Sequence, residues 1–258
     1  MKELKEKTVF ITGASSGIGR SAAAAFAKLG ANILICARRG EKLQSLANEL
    51  KASTGVKVHA FTLDVRDHKN VEKTLNGLPD EWKNISVLVN NAGLSRGLDN
   101  LQDAKIEDWE EMIDTNIKGL LYITRTVLPG MIERNEGHVI NIGSVAGHWT
   151  YPKGNVYAAT KFAVNALSQG LKMDLLGTPI RVTSIDPGLV ETEFSVVRFR
   201  GDSDRAKKVY EGLSPLTPDD IADSIVWAAT RPAHVNVNTI VLMTTDQSAP
   251  TMVHRKGN

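Results

Sequence analysis

Tyr157 and Lys161 lie four residues apart in VYAATKFAVNAL, and Ser144 precedes the tyrosine by thirteen residues in NIGSVAG. Residues at i and i+4 share one face of a helix, so this spacing predicts an ammonium beside a phenol. A free tyrosine titrates near ~10. A fixed positive neighbour favours the phenolate and brings Tyr157 toward the range in which a phenol trades protons at neutral pH. Ser144 can then hold the alcohol or carbonyl oxygen on which the proton moves. Such a short motif needs its scaffold and its reaction partner before it carries an assignment.

The scaffold is written in alternating patterns. TVFIT, NILICA, KVHAFTLD, SVLVNN, GHVINI, RVTSI and NTIVLM are short, nearly continuous apolar runs that read as seven buried parallel strands. Helical patterns separate them over 21–29, 41–51, 71–78, 107–134, 153–176 and 219–230. The alternation predicts an α/β fold, a single-domain Rossmann fold with a doubly wound seven-stranded parallel sheet and helices on both faces. One domain over 1–258 is expected, because the chain has no internal repeat and no Pro/Gly linker. The stretch 191–218 carries no strong strand and mixes aromatics, charges and Gly-Asp-Ser. It reads as a lid above the sheet or as a helical surface insertion.

Composition excludes several classes. With 258 residues, 42% hydrophobic and 23% charged, the chain has ample core for a globular domain. A net charge of +2 implies no broad attraction to nucleic acid or to a membrane surface. The single cysteine, Cys36, rules out an internal disulfide and reads as strand packing. No metal site is expected, since no two histidines stand at ligand spacing. No apolar stretch approaches the ~20 residues of a membrane span, and MKELKEK has no signal-peptide core, so a cytoplasmic location is expected.

The reaction partner is indicated by the first strand-to-helix turn, Thr12-Gly13-Ala14-Ser15-Ser16-Gly17-Ile18-Gly19. Gly13 permits the tight turn, Gly17 lets backbone approach a pyrophosphate, and Gly19 allows close helix–strand packing. Ser15, Ser16 and Ile18 share the loop at a helix N-terminus, which favours phosphate. NAD sites place a carboxylate at the end of the second strand for the ribose 2′-hydroxyl. Here Arg38 and Arg39 stand there instead, and guanidiniums suit a 2′-phosphate, so NADP(H) is the expected cofactor. Asp64-Val65 ends the third strand, where a carboxylate can accept the adenine amino group. Asn90-Asn91-Ala92-Gly93 ends the fourth and lies close enough to line the adenosine side, with Asn91 in the expected cofactor set.

TGASSGIG, NNAG, Asn116, Ser144, YAATK and Pro187-Gly188 occur in an order and spacing that resemble a short-chain dehydrogenase/reductase of the classical type over essentially the whole chain. The resemblance implies Tyr157 as general acid/base and Ser144 as the residue that orients the substrate oxygen. It also implies that Lys161 lowers the Tyr157 pKa and holds the nicotinamide ribose. Asn116, in IDTNIKG, would anchor a water that relays protons from Lys161, and Pro187, Gly188, Val190 and Thr192 would run past the nicotinamide.

A narrower resemblance runs from DWEEMIDTNIKGLLYITRTVLPGMIERNEGHVINIGSVAG through GNVYAATK, PGLVETEFSVVRF and RPAHVNVNT. It is similar to the NADP-dependent serine / L-allo-threonine 3-dehydrogenases, homotetramers that oxidise 3-hydroxy acids or reduce 3-oxo acids. The loop VETEFS is one residue shorter than the glycine-containing form of the bacterial members. NTIVLMTTDQS also lacks the glycine-rich end of the 3-oxoacyl carrier-protein reductases. The resemblance therefore implies a small 3-hydroxy acid substrate, held at Ser144 and Tyr157. A carbonyl or sugar-alcohol reductase and a nucleotide-binding regulator without turnover are the alternatives. A carboxylate needs a cationic partner, for which Arg198 and Arg200 are candidates unless both are surface residues. Apolar residues on more than one face of 107–134 and 153–176 fit a subunit contact or burial within the monomer.

Overall fold

The computed structural model describes residues 4–257, so Met1, Lys2 and Glu3 of MKELKEK and Asn258 of the expected 1–258 domain lie outside the described residues. The first half runs β1 (Thr8–Thr12), α1 (Gly17–Lys28), β2 (Asn32–Ala37), α2 (Gly40–Thr54), β3 (Val58–Thr62), α3 (His68–Asn76), α4 (Asp80–Lys83) and β4 (Ile85–Asn90). Then follow α5 (Ile106–Ile113), a π-helical turn (Asp114–Gly119), α6 (Leu120–Glu133), β5 (His138–Ile142), α7 (Asn155–Asp174) and β6 (Arg181–Pro187). The chain ends with α8 (Phe194–Arg198), α9 (Ser203–Lys208), α10 (Pro218–Ala229) and β7 (Thr239–Leu242).

The seven strands form one parallel sheet in the order β3-β2-β1-β4-β5-β6-β7. Side chains alternate across each strand, and the alternation divides the core in two. Val9, Ile11, Ile33, Ile35, Val87 and Val89 pack with α1, α2 and α10 on one face. Phe10, Leu34, Cys36 and Leu88 pack with α3, α4 and α6 on the other. Local signals set the helix ends. Thr217 and Asp220 close a capping box around Pro218 at the start of α10, and Gly55 takes a left-handed conformation at the end of α2.

Two expectations are corrected. The pattern over 107–134 is not one α-helix, because the π-helical turn interrupts it. The side chain of Asn116 within that turn is tied to the backbone of Leu94, and the local winding accommodates this anchor. β7 and β3 are sheet edges rather than buried strands, with Thr239 and Val241 exposed on β7 and only Val58 buried on β3, since no further strand covers either. The segment 191–218 contains two short helices, α8 and α9, and α4 is a single turn that the periodicity did not reveal.

Candidate active site

The C-terminal ends of the strands open onto a cleft of about 1000 Å³. It lies where the strand order reverses between β1 and β4, the place open α/β sheets give to ligands. Every expected site residue lines it except Gly19 and Asn116. Those two act from behind. A Cβ on Gly19 would collide with the Asn91 carboxamide and meet Gly13 O at 2.8 Å, so the glycine permits the helix to approach the strand ends.

Gly13 takes φ +66°, which turns the chain from β1 into the loop. Ser16 precedes α1, but its hydroxyl does not cap the helix. It accepts from Arg39 Nη2 at 2.7 Å, while Ser15 Oγ accepts from Arg39 Nη2 and Nε at 2.8 and 3.1 Å. One guanidinium and two hydroxyls therefore converge at a helix N-terminus, a donor set that fits a phosphate on the ribose. The structure also brings in Glu193, whose carboxylate bridges Arg39 Nη1 at 2.6 Å and Lys42 Nζ at 2.7 Å. Hydrogen bonds from Lys42 and Arg39 hold its pKa down to about 2. Arg38 diverges from its neighbour and stands 3.6 Å from Glu111.

The adenosine side is more committed than its sequence suggested. Arg66 donates from Nε and Nη2 to Asp64 at 2.6–3.0 Å. Burial raises the Asp64 pKa, yet the Arg66 hydrogen bonds outweigh it and hold the carboxyl below its ordinary value. Asn91 lines the cleft, but its carboxamide donates to the carbonyls of Thr12 and Gly13 at 2.9 and 3.1 Å. It pins the glycine turn to β4.

At the other end, Ser144 follows β5, and Tyr157 and Lys161 project from α7. Ser144 Oγ accepts from Ala146 N at 3.1 Å and donates to Pro187 O at 3.4 Å, and its hydroxyl acts to lower the Tyr157 pKa. Lys161 is buried and donates to Ile142 O at 2.8 Å, with Nζ 5.9 Å from the Tyr157 ring centroid. Asn116 Oδ1 accepts from Leu94 N at 2.9 Å, and its Nδ2 donates to Leu94 O and to Thr160 Oγ1. Gly93 bridges the two: a Cβ there would stand 3.3 Å from Asn116 Oδ1 and 3.7 Å from Lys161 Nζ.

The electrostatics correct the simple pairing argument. Burial pushes the Tyr157 phenol well above its ordinary pKa, and nearby Tyr151 adds to the rise. Arg198 and the Ser144 hydrogen bond oppose it, rather than Lys161. Burial also lowers the Lys161 amine to about 8, partly countered by Asp186. The helical spacing puts the two groups on one face, but burial sets the direction of both shifts.

Arg198 is the functional-site residue whose position the sequence left open. Its guanidinium stacks over the rings of Tyr157 and Phe194 at 5.2 and 5.5 Å. It donates to Ser95 Oγ at 3.0 Å and to Tyr151 Oη at 2.5 Å. Arg200 is exposed at the rim and paired with Asp108, so of the two candidates only Arg198 faces the phenol. Tyr151 and Phe194 complete the enclosure. Their only sequence signal was aromatic character near the two motifs. Among the described residues no helix is long and apolar enough to cross a membrane, and no group of three or more His, Cys, Asp or Glu could hold a metal ion.

Residues 7–202 match the model of the short chain dehydrogenase family. The chain is 52% identical to the NADP-dependent 3-hydroxy acid dehydrogenase YdfG of Salmonella typhi, covering 96% of this chain and 99% of that one. It is 45% identical to the serine 3-dehydrogenase of Rhizobium radiobacter, covering 93% and 95%. The solved closed form of a serine dehydrogenase complexed with NADP+ superposes with a TM-score of 0.90 at 50% identity, covering 96% of this chain and all of that one (100%). The glycine turn, the Ser144-Tyr157-Lys161 constellation and this agreement along nearly the full length have one reading: the chain belongs to the short-chain dehydrogenase family.

Proposed function

We propose that the protein is an NADP-dependent dehydrogenase of small 3-hydroxy acids, of the serine, L-allo-threonine or 3-hydroxypropionate type. The observation that carries the substrate class is Arg198, a cation stacked 5.2 Å over the Tyr157 ring inside the cleft. A carboxylate paired with Arg198 sets the carbon two bonds away within reach of Ser144 and Tyr157. Arg39, Ser15 and Ser16 are the groups that would hold the 2′-phosphate, with Lys42 beside them. Pro187, Gly188, Val190 and Thr192 would flank the nicotinamide end, and Asp64, Val65 and Asn91 the adenosine end.

In this reading Ser144 donates to the substrate oxygen and Tyr157 exchanges its proton with it. The phenol needs help to do so, because burial holds it protonated. Arg198 already pulls in that direction, and Lys161 adds its charge when it holds the ribose. Asn116 keeps the chain around Lys161 in register with Leu94. Bound NADP(H) supplies the hydride acceptor or donor for the carbon that carries the 3-hydroxyl or 3-oxo oxygen. Oxidation delivers the hydroxyl proton to Tyr157 once it is the phenolate, and reduction takes the proton back from the phenol.

Residues 191–218 serve as the substrate lid in this single domain, since they contribute both Glu193 and Arg198 to the cleft. A homotetramer goes with the same reading. Leu121, Phe162, Met173 and Leu176 are exposed on α6, on α7 and just after α7, and Trp227 and Val241 are exposed on α10 and β7. Size-exclusion with light scattering decides the assembly. A cytoplasmic setting suits the one thiol, Cys36, buried in β2, and cell fractionation checks it. The activity is tested with L-serine, L-allo-threonine, 3-hydroxybutyrate and neutral alcohols, each with NADP and NAD. Turnover of neutral alcohols alone defeats the 3-hydroxy acid assignment. Tyr157→Phe is expected to lower kcat/KM by ~10²–10⁴-fold, and a loss below about tenfold defeats the mechanism.

A further inference from the structure

Asp186 stands at the end of β6 with its carboxylate fully buried, and it does not line the cleft. Oδ1 accepts from Ser184 Oγ at 2.5 Å, and Oδ2 lies 2.5 Å from His148 Nε2. Asn165 of α7 brackets the group, accepting from Ser184 Oγ at 3.2 Å and donating to Gly147 O at 3.1 Å. A Cβ on Gly143 would collide with Asp186 Oδ1, so bare backbone just beyond β5 rests against the carboxylate. At that same strand end, the preceding residue Ile142 accepts the hydrogen bond of Lys161 Nζ at 2.8 Å.

A buried carboxylate is costly unless it is paired and hydrogen-bonded. Here its neighbours are a hydroxyl and an imidazole, and among the described residues no side chain that is always cationic pairs with it. The titratable groups tied to it are His148 from the turn after β5 and Lys161 from α7. On the β7 side it faces Val241, its register partner. We propose that Asp186 is a positioning residue of the reaction: held by Ser184 and His148 against the strand end whose Ile142 accepts from Lys161, its carboxylate is the countercharge that holds the Lys161 ammonium in place. The inference rests on the role given above to Lys161. The direction agrees, since Asp186 is the charge that opposes the burial of the Lys161 amine.

The test follows how NADPH affinity, read by nicotinamide fluorescence, and kcat/KM fall off at high pH. Asp186→Asn keeps the shape of the group and removes its charge. At an effective dielectric of about 20, a unit charge several Å away moves a pKa by roughly one to two units. Both high-pH limbs are therefore expected about one pH unit or more lower in Asp186→Asn. His148 is partly exposed, so changes there test the same idea if Asp186→Asn does not fold. His148→Lys sets a permanent cation against the carboxylate and is expected to move the limbs the same way. His148→Gln, a neutral donor, is expected to leave them in place. Limbs unmoved in folded Asp186→Asn, or identical in His148→Lys and His148→Gln, overturn the proposal. A limb that persists in Lys161→Met overturns the role of Lys161 and this proposal with it. A limb lost in Lys161→Met but unmoved by every change at 186 and 148 overturns this proposal alone.

Discussion

Replacing Arg198 with methionine separates substrate recognition from proton transfer, because the guanidinium has two partners in the cleft. The first is the carboxylate of the proposed substrate. A hydrogen-bonded pair involving a charged group contributes about 1.5–3 kcal/mol, which corresponds to roughly a ten- to hundredfold loss of kcat/KM for a 3-hydroxy acid. The second is the Tyr157 phenol, whose pKa Arg198 lowers. At the 5.2 Å that separate the guanidinium from the ring centroid, a unit charge at an effective dielectric of about 20 interacts by roughly 3 kcal/mol. Solvent at this half-buried side chain reduces that figure, leaving about a tenfold effect. The phenol effect applies to every substrate and the carboxylate effect only to acids. The assay is kcat/KM for 3-hydroxybutyrate and for a neutral secondary alcohol of the same length, in wild type and Arg198→Met. The alcohol is expected to lose about tenfold or less, and the acid a further ten- to hundredfold. Equal losses for both substrates refute the carboxylate contact, and no loss for either refutes both partners.

Three other perturbations test neighbouring parts of the site. Burial lowers the Lys161 amine from 10.5 to about 8, so its charge opposes folding below pH 8 and stops doing so as pH rises past 10.5. Lys161→Met is accordingly expected to stabilise the cofactor-free protein at pH 7 by about 1–3 kcal/mol, an advantage that closes between pH 8 and 10.5; a lower Tm at pH 7 contradicts it. Glu193→Gln frees Arg39 and Lys42 and removes a negative charge beside the expected 2′-phosphate. NADPH is expected to bind about three- to tenfold tighter at low salt with NADH unchanged, and an equal change for both cofactors argues against the clamp. Asn116→Ala strips the buried N–H and C=O of Leu94 of their partners. It is expected to destabilise by about 2–4 kcal/mol in chemical denaturation, and a change below about 0.5 kcal/mol would show that the anchor is dispensable.

The periodic parts of the chain were legible because the inner strands are runs of core residues whose burial their neighbours enforce. NILICA and SVLVNN could form little else. The glycine turn was equally plain, since Gly13 and Gly19 answer to local geometry and to a close approach that any side chain would block. Legibility failed where partners lie far apart in the chain. The π-helical turn around Asn116 depends on Leu94 and on Thr160 of α7, and the helical pattern of 107–134 carries no trace of either. The exposure of β7 depends on its place at the end of the strand order, which its apolar sequence cannot report.

The sequence by itself determined the sheet, the dinucleotide turn, the choice of arginines over an acid after β2, and the identity of Ser144, Tyr157 and Lys161. These rest on periodicity, on short spacing and on side-chain chemistry, all of which are local. Only the tertiary structure decided how those groups are charged and what they face. It separated Arg39, held by Ser15, Ser16 and Glu193, from Arg38, which leans toward Glu111. It placed Arg198 rather than Arg200 over the phenol and joined His148 to the buried Asp186 at the end of β6. It also reversed the direction of the Tyr157 pKa, because desolvation is a property of the folded surroundings and the four-residue spacing encodes only proximity.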